Sequence, residues 1–163
     1  MAMTGDPDAL QALIDADDQP VFALDRELRY TAFNQAHAAT MRALYGVEIA
    51  LGERLADYQT VDADRETAQA NLERVLAGER VVASAYSGEP GRERRYFDIE
   101  HTPLTGVAGT VVGVCVHAYD VTERKRAEMA LQASASERSQ RKRTFPDLCE
   151  RSRRGVPSRG GTA

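Results

Sequence analysis

The apolar and polar positions of the chain follow a helical period first and a strand period afterwards. After an acidic start at Asp6 or Asp8, the stripe that predicts a short amphipathic helix consists of Ala9, Leu10, Leu13 and Ile14. Two apolar stretches, Pro20–Leu24 and Leu28–Phe33, then flank a short polar turn. This pattern is typical of a β-hairpin.

A helical middle follows the hairpin. Asn34 is suited to cap a helix that ends at Gly46, and its apolar face comprises His37, Met41, Leu44 and Tyr45. Residues 47–60 contain only short apolar pieces and predict turns or one short helix. A second helix, capped by Asp62 or Asp64 and ended by Gly78, has the apolar positions Ala68, Leu72, Val75 and Leu76.

Three strands complete the pattern, beginning near Arg80, Arg94 and Gly109. Their short connections predict an antiparallel meander. The sequence therefore predicts an α+β fold, in which a five-stranded antiparallel sheet carries its helices on one face.

The last predicted strand changes into a helix within three residues, at "AYDVTERKRAE" (118–128). Asp120 is suited to accept from the first free amides of this helix, and Glu123 to reach back to the amide of Asp120. No β-branched residue occurs from Glu123 to Arg143. We expect a stiff joint that passes movement of the sheet into a long exit helix.

Composition limits the chain to one domain with tails. Of its 163 residues 42% are hydrophobic and 6% aromatic, without tryptophan, which predicts a modest core. Two cysteines argue against a disulfide framework or a zinc site. Neither a membrane-spanning segment nor a leader is evident, so we expect a soluble, cytoplasmic protein. Residues 1–64 hold 12 acidic and 4 basic residues, whereas residues 123–163 hold 5 and 11.

Strand alternation divides the side chains between two faces of the sheet. We expect the inner face to carry Phe97, Ile99 and His101 of the fourth strand and Val112, Val114, Val116 and Ala118 of the fifth. The outer face then holds Tyr96, His117 and Tyr119. Aromatic clusters of this kind are seldom exposed to solvent, so we expect something to cover this one. Either the opening helix, through Leu10 and Leu13, or a second copy of the domain covers it.

Four segments resemble those of PAS domains, the sensory modules of bacterial signalling proteins, and they occur in the family's order. They are "AFNQA" (32–36), "GERVV" (78–82), "RYFDIEHTPL" (95–104) and "YDVTERKRAE" (119–128). The last is the most specific, since it is similar to the family's closing Asp-Ile-Thr motif with Val121 in place of the usual Ile. The resemblance covers roughly Pro20–Glu128.

The resemblance implies a PAS-like sheet with an N-terminal cap helix and a long C-terminal exit helix. It also implies a joint through which signals pass to an effector, formed by Asn34, Asp120, Val121, Thr122 and Glu123. The alternative is that these residues only cap helices.

The resemblance further implies a cavity between the sheet and the helical middle. Its candidate lining residues are His37, Met41, Tyr58, Phe97, Ile99, His101, Val114 and Val116. His37 and His101 would offer a ligand a hydrogen bond or a pH-sensitive charge. Each is otherwise a core histidine with its hydrogen bonds satisfied.

Flavin and haem are disfavoured by the residues present. The segment "GERLADYQT" (52–60) lacks the Cys of flavin-binding light sensors, and "DRETAQANLERVLAG" (64–78) lacks the His that haem-binding relatives place there. We expect no cofactor and no metal. The cavity is empty, wet or filled by a small organic ligand.

The domain limits follow from these features. We predict a cap helix over residues 1–19, the PAS domain over 20–121, the exit helix over 122–143 and a disordered basic tail over 144–163. Apolar positions on the exit helix are sparse, so a coiled coil formed by it alone would be weak. The tail has no histidine and no aromatic platform, which disfavours a phosphoacceptor site and nucleic-acid binding.

The sequence thus favours a non-catalytic sensory or dimerisation module. We expect it to be the input domain of a sensor histidine kinase, forming a homodimer through the outer sheet face, the cap helix or the exit helix. The alternatives are the input domain of a cyclase or transcription regulator, or a small α+β enzyme that uses His101. The enzyme is disfavoured because Asp98 and Glu100 alternate away from His101.

Overall fold

The structure is a computed structural model that describes the backbone of residues 7–153 and the side chains of residues 8–9 and 11–140. Its elements in chain order are α1 (Pro7–Asp15), β1 (Val21–Asp25), β2 (Tyr30–Phe33), α2 (Gln35–Tyr45), α3 (Leu55–Tyr58), α4 (Asp62–Leu76), β3 (Val81–Ser87), β4 (Arg95–Thr105), β5 (Val111–Asp120) and α5 (Thr122–Arg153).

The five strands form one antiparallel sheet in the order β2-β1-β5-β4-β3. The last strand therefore lies at the centre, bonded to β1 on one side and β4 on the other. The predicted α+β fold, with an N-terminal helix and a long C-terminal helix, is confirmed. Position in the sheet explains why β5 is so rich in valine: Val114 and Val116 are 0% and 2% exposed.

Helix α2 follows the predicted pattern. Its buried residues are His37, Met41, Leu44 and Tyr45. Gly46 ends it in the left-handed conformation (φ 68°), where its N–H donates to the carbonyl of Arg42. The core continues from this face into the sheet through Phe22, Leu24 and Phe97, and into α4 through Leu72 and Val75.

Three local predictions are wrong. Strand β2 begins at Tyr30 and not at Leu28, because Leu28 has a positive φ of 62° and its N–H closes a turn on Asp25. Helix α4 begins at Asp62 without a side-chain cap, so neither Asp62 nor Asp64 has the predicted capping role. Val112, the second residue of β5, is 50% exposed and so is not part of the buried inner face.

The chain divides into two compact units. The first ends at Thr122, and the second begins at Glu123. Helix α5 starts at Thr122 as predicted but extends to Arg153, past the expected end near Arg143. Residues 144–153, expected in the tail, are thus helical, and residues 154–163 lie outside the described part.

Candidate functional site: the cavity and the strand-to-helix joint

A cavity of about 90 Å³ lies between the sheet and helices α2, α3 and α4. A second hollow of about 80 Å³ shares several of its lining residues, among them Ala68, Ile99 and His101. Typical pockets for drug-sized ligands measure about 300–1,000 Å³, so this space suits a few waters or a very small molecule.

Six of the eight candidate lining residues face this cavity: His37, Met41, Phe97, Ile99, His101 and Val116. Tyr58 and Val114 do not line it. The Tyr58 ring packs 6.3 Å from that of Tyr30, centroid to centroid, and Val114 is buried in the centre of the sheet opposite Leu24. Pro20 and Phe22 of the first strand region also line the cavity.

His37 is held in place by Tyr30 and Phe22. Its Nε2 lies 2.9 Å from the hydroxyl of Tyr30, and its ring stacks on Phe22 with 4.1 Å between centroids. Burial lowers the pKa of His37 to about 3 and raises the pKa of the Tyr30 hydroxyl. Both groups are therefore uncharged at neutral pH.

His101 lines the cavity from β4 and also borders the second hollow. Its Nδ1 lies 3.2 Å from the carbonyl oxygen of Val81 on the neighbouring strand. Burial lowers the pKa of His101, although that hydrogen bond acts in the opposite direction. The structure thus brings His37 and His101 to one cavity, which sequence reasoning left open.

Asp64 is the residue of this region that sequence reasoning misjudged. Its Oδ2 accepts from the Tyr45 hydroxyl (2.8 Å) and the Gly88 N–H (2.9 Å), and its Oδ1 lies 3.4 Å from Nη2 of Arg94. These contacts connect α4 to α2 and to the end of β3. Little in the sequence indicates that Asp64 is the buried carboxylate of this turn. Asp62 and Glu66 lie two positions before and after it, and only the inward direction of the Asp64 side chain distinguishes it from them.

The joint is built by Asp120 and Thr122. Asp120 Oδ1 accepts from the N–H of Thr122 at 3.0 Å and from its hydroxyl at 2.5 Å. The hydroxyl oxygen of Thr122 in turn accepts from the N–H of Tyr96 at 3.0 Å, and the Val121 N–H donates to the Tyr96 carbonyl at 2.9 Å. Val121 and Thr122, the two residues that follow β5, are thereby fixed to the start of β4.

The predicted reciprocal cap between Asp120 and Glu123 is wrong. The N–H of Asp120 donates instead to Oε1 of Gln19 at 3.2 Å, so it is not available to the Glu123 carboxylate. Glu123 is exposed. Gln19 had no signal in the sequence, because its role depends on a contact between residues 101 positions apart.

Asn34 lies away from this joint and connects other elements. Its Oδ1 accepts from the N–H of His37 (2.9 Å), the predicted cap, and from the N–H of Val21 (3.0 Å). Its Nδ2 donates to the carbonyls of Ile14 (2.9 Å) and Gln19 (2.8 Å). Asn34 is thus connected to the joint through Gln19, whose carbonyl accepts from Asn34 and whose side chain accepts from the Asp120 N–H.

The first of the two expected covers, the opening helix acting through Leu13, does not lie over the outer face. Leu13 is 71% exposed, so it does not cover the aromatic cluster, and the side chain of Leu10 lies outside the described ones. Tyr119 stacks on His117 (4.4 Å between centroids), and His117 Nε2 lies 3.1 Å from Asp17 Oδ2 in the segment after α1. Tyr96 packs against Tyr86 with 4.6 Å between centroids.

Among the described side chains, no group of three His, Cys, Asp or Glu residues is arranged to hold a metal ion. Along the same part of the chain, no helix combines the length and apolar character needed to cross a membrane.

Several solved structures share this architecture. The PAS domain of Bordetella pertussis BvgS matches with a TM-score of 0.60 and 22% identity, over 80% of this chain and 96% of that one. A sensory box histidine kinase/response regulator from Burkholderia thailandensis matches with a TM-score of 0.58 and 18% identity, over 80% and 98%. The phage VqmA–DPO complex matches with a TM-score of 0.57 and 23% identity, over 77% of this chain and 58% of that one.

The search of curated proteins returned no match. The family model described as "PAS fold" matches residues 14–126, more than half of the chain. Together with the central position of β5 and the Asp120–Thr122 joint, this match shows that the chain belongs to the PAS family.

Proposed function

We propose that this PAS domain is the cytoplasmic input module of a sensor histidine kinase, in which a small molecule in the cavity alters the joint and, through α5, a downstream effector. The domain itself carries no catalysis in this proposal. PAS domains are sensory modules of signalling proteins, and this much follows from membership of the family.

One observation carries the proposal. Two residues that line the cavity, Pro20 and Phe97, directly follow two residues that form hydrogen bonds to the joint, Gln19 and Tyr96. Pro20 lines the cavity, and the preceding Gln19 accepts from the Asp120 N–H. Phe97 lines the cavity, and the preceding Tyr96 bonds both Val121 and Thr122. A ligand that displaces either wall residue therefore moves a hydrogen-bond partner of the joint.

The size of the cavity supports a small organic ligand and not a flavin or a haem. The kinase assignment is supported by the likeness to BvgS and to the sensory box histidine kinase. That likeness is one of fold, so a cyclase or a transcription regulator stays the alternative downstream partner.

We also propose a homodimer formed through the outer sheet face. Val82 and Tyr86 of β3 are 66% and 43% exposed on this face, beside Tyr96 of β4.

Ligand binding is tested by a fragment screen with a variant whose cavity is filled. Ala68 lines both hollows from α4, so Ala68→Leu fills the space with a residue that helices favour. Saturation-transfer NMR on the wild type should detect neutral fragments of benzene size or smaller, and Ala68→Leu should lose them. A wild type that binds none of them, or an Ala68→Leu variant that binds them equally, would contradict the proposal.

A further inference from the structure

The chemistry of the two histidines indicates which ligand the cavity accepts, and this step rests on the proposed function. They differ in how their Nε2 atoms are used. His37 Nε2 is already paired with the Tyr30 hydroxyl at 2.9 Å, in a ring held by Phe22. It is therefore engaged within the protein.

His101 presents a free acceptor. A carbonyl oxygen only accepts, so the 3.2 Å contact with Val81 requires the proton on Nδ1. In the neutral ring, Nε2 then carries a lone pair and no proton. Among the described residues, Val81 is the hydrogen-bond partner that the structure gives His101, and the contact uses the other nitrogen.

The remaining polar groups constrain a ligand less. The Thr40 hydroxyl donates to the carbonyl of Ala36 at 2.8 Å within its own helix. Gln59 and Ser87 also line the cavity, and each side chain is able both to donate and to accept. They add hydrogen-bonding capacity without favouring one type of ligand.

The charges around the cavity favour a neutral ligand. Neither lysine nor arginine occurs among the residues that line the two hollows. The carboxylate of Asp64 borders the second hollow, where it repels an anion. A cation gains little from it, because Asp64 already accepts from Tyr45 and Gly88 and lies beside Arg94.

We propose that the ligand is a small, neutral, mostly apolar molecule that donates one N–H or O–H to Nε2 of His101. Pyrrole and furan test this directly, since they are nearly the same size and only pyrrole has an N–H to donate. Pyrrole should bind about fivefold more tightly than furan, the effect of one net hydrogen bond. Pyrrole-2-carboxylate, which carries a negative charge, should bind more weakly than either.

Nitrogen-15 NMR of the histidine rings provides a readout that needs no variant. In the free protein His101 should show a protonated Nδ1 and an unprotonated Nε2. Pyrrole should move the Nε2 resonance towards that of a hydrogen-bonded nitrogen, and furan should leave it in place. A proton on Nε2 of the free protein would overturn the proposal.

A matched pair of variants separates the acceptor from the fold. In His101→Asn the amide replaces Nδ1 and keeps a donor near Val81, but the acceptor at Nε2 is lost. Pyrrole and furan should then bind with equal affinity. Glu100→Gln, at the neighbouring position on the opposite face, should retain the fivefold preference.

The outcomes distinguish this inference from the proposed function. If the wild type binds pyrrole and furan equally, or if His101→Asn keeps the preference, the inference fails while ligand binding stands. If the wild type binds no neutral fragment at all, the proposed function fails as well.

Discussion

A single side chain, that of Asn34, holds together the segments at the start of the domain. It is fully buried, and its amide bonds the N–H groups of Val21 and His37 as well as the carbonyls of Ile14 and Gln19. A buried amide that uses both ends on backbone groups positions those segments more firmly than a helix cap alone.

Asn34→Ala should lower the free energy of unfolding by about 2–3 kcal/mol, because it removes the cap of α2 and leaves the half-buried Val21 N–H without its partner. Urea unfolding measures this change. Gln132→Ala, at an exposed position of α5, is the control and should stay within about 0.5 kcal/mol of the wild type. Equal stability of the two variants would contradict the assigned role.

His37 should make stability depend on pH. Burial lowers the pKa of His37 from its usual 6.5 to about 3, so the unfolded chain takes up a proton below pH 6.5 while the folded chain does not until about pH 3. The free energy of unfolding should therefore fall as the pH falls, by about 2 kcal/mol from this residue between pH 7 and pH 5. His101, whose pKa is also lowered, acts in the same direction.

The matched variant for this prediction is His37→Gln, whose amide is able to bond Tyr30 without titrating. Urea unfolding at pH 7 and pH 5 should show a smaller loss in His37→Gln than in the wild type. Equal losses in both proteins would show that His37 does not cause the dependence.

At the scale of elements, the close approach of β1 and β5 is set by Gly113. A Cβ atom at this position would lie 2.3 Å from the carbonyl oxygen of Leu24, which is too close for any real contact. Because the oxygen belongs to the backbone of the adjacent strand, the strands themselves have to separate.

Gly113→Ala should therefore destabilise the protein by about 1–3 kcal/mol, as overpacking does in other cores. The control is Gly91→Ala in the loop before β4, where a Cβ meets nothing within 4 Å. Thermal unfolding compares the two variants. A Gly113→Ala protein as stable as Gly91→Ala would mean that β1 and β5 are not packed as described.

The strand-to-helix joint depends on one hydroxyl. Thr122→Val keeps the shape of the side chain but removes the acceptor of the Tyr96 N–H and the donor to Asp120. We expect a loss of about 1 kcal/mol, with faster hydrogen exchange at the amides of Tyr96 and Val121. Thr102→Val, at an exposed position of β4, should leave these amides unchanged.

Asp120→Ala removes the carboxylate at the same joint and should also cost about 1 kcal/mol. Hydrogen exchange at the Thr122 amide, which donates to that carboxylate, is the measurement. Unchanged melting together with unchanged exchange would count against the joint.

At the scale of the molecule, the features predicted from the sequence are those that depend on the periodic spacing of apolar residues. The five strands and the buried face of α2 follow from alternation and apolar spacing. The start of α5 follows from the change of pattern after Asp120, although the predicted Glu123 half of its cap is wrong. The sequence could not predict Gln19 at the joint or Asp64 beside the cavity, because their partners are distant in the chain. The prediction that Tyr58 and Val114 line the cavity is wrong. The pattern of apolar positions shows which residues are buried but does not show which other residues they face.

The proposed homodimer gives a prediction at this scale. Val82→Asp places a charge on the outer face of β3, where it should shift the protein towards the monomer in sedimentation equilibrium. Val107→Asp is the matched control, since Val107 is fully exposed in the turn between β4 and β5. A wild type that is monomeric, or equal behaviour of both variants, would contradict an interface at this face.

The central claim is that occupancy of the cavity is transmitted to the joint. Hydrogen exchange at the Val121 amide, which bonds the Tyr96 carbonyl, measures this with and without saturating pyrrole. We predict that pyrrole changes the exchange rate in the wild type and leaves it unchanged in Ala68→Leu, whose cavity is filled. Pyrrole that binds the wild-type cavity without changing exchange at Val121 would contradict the account.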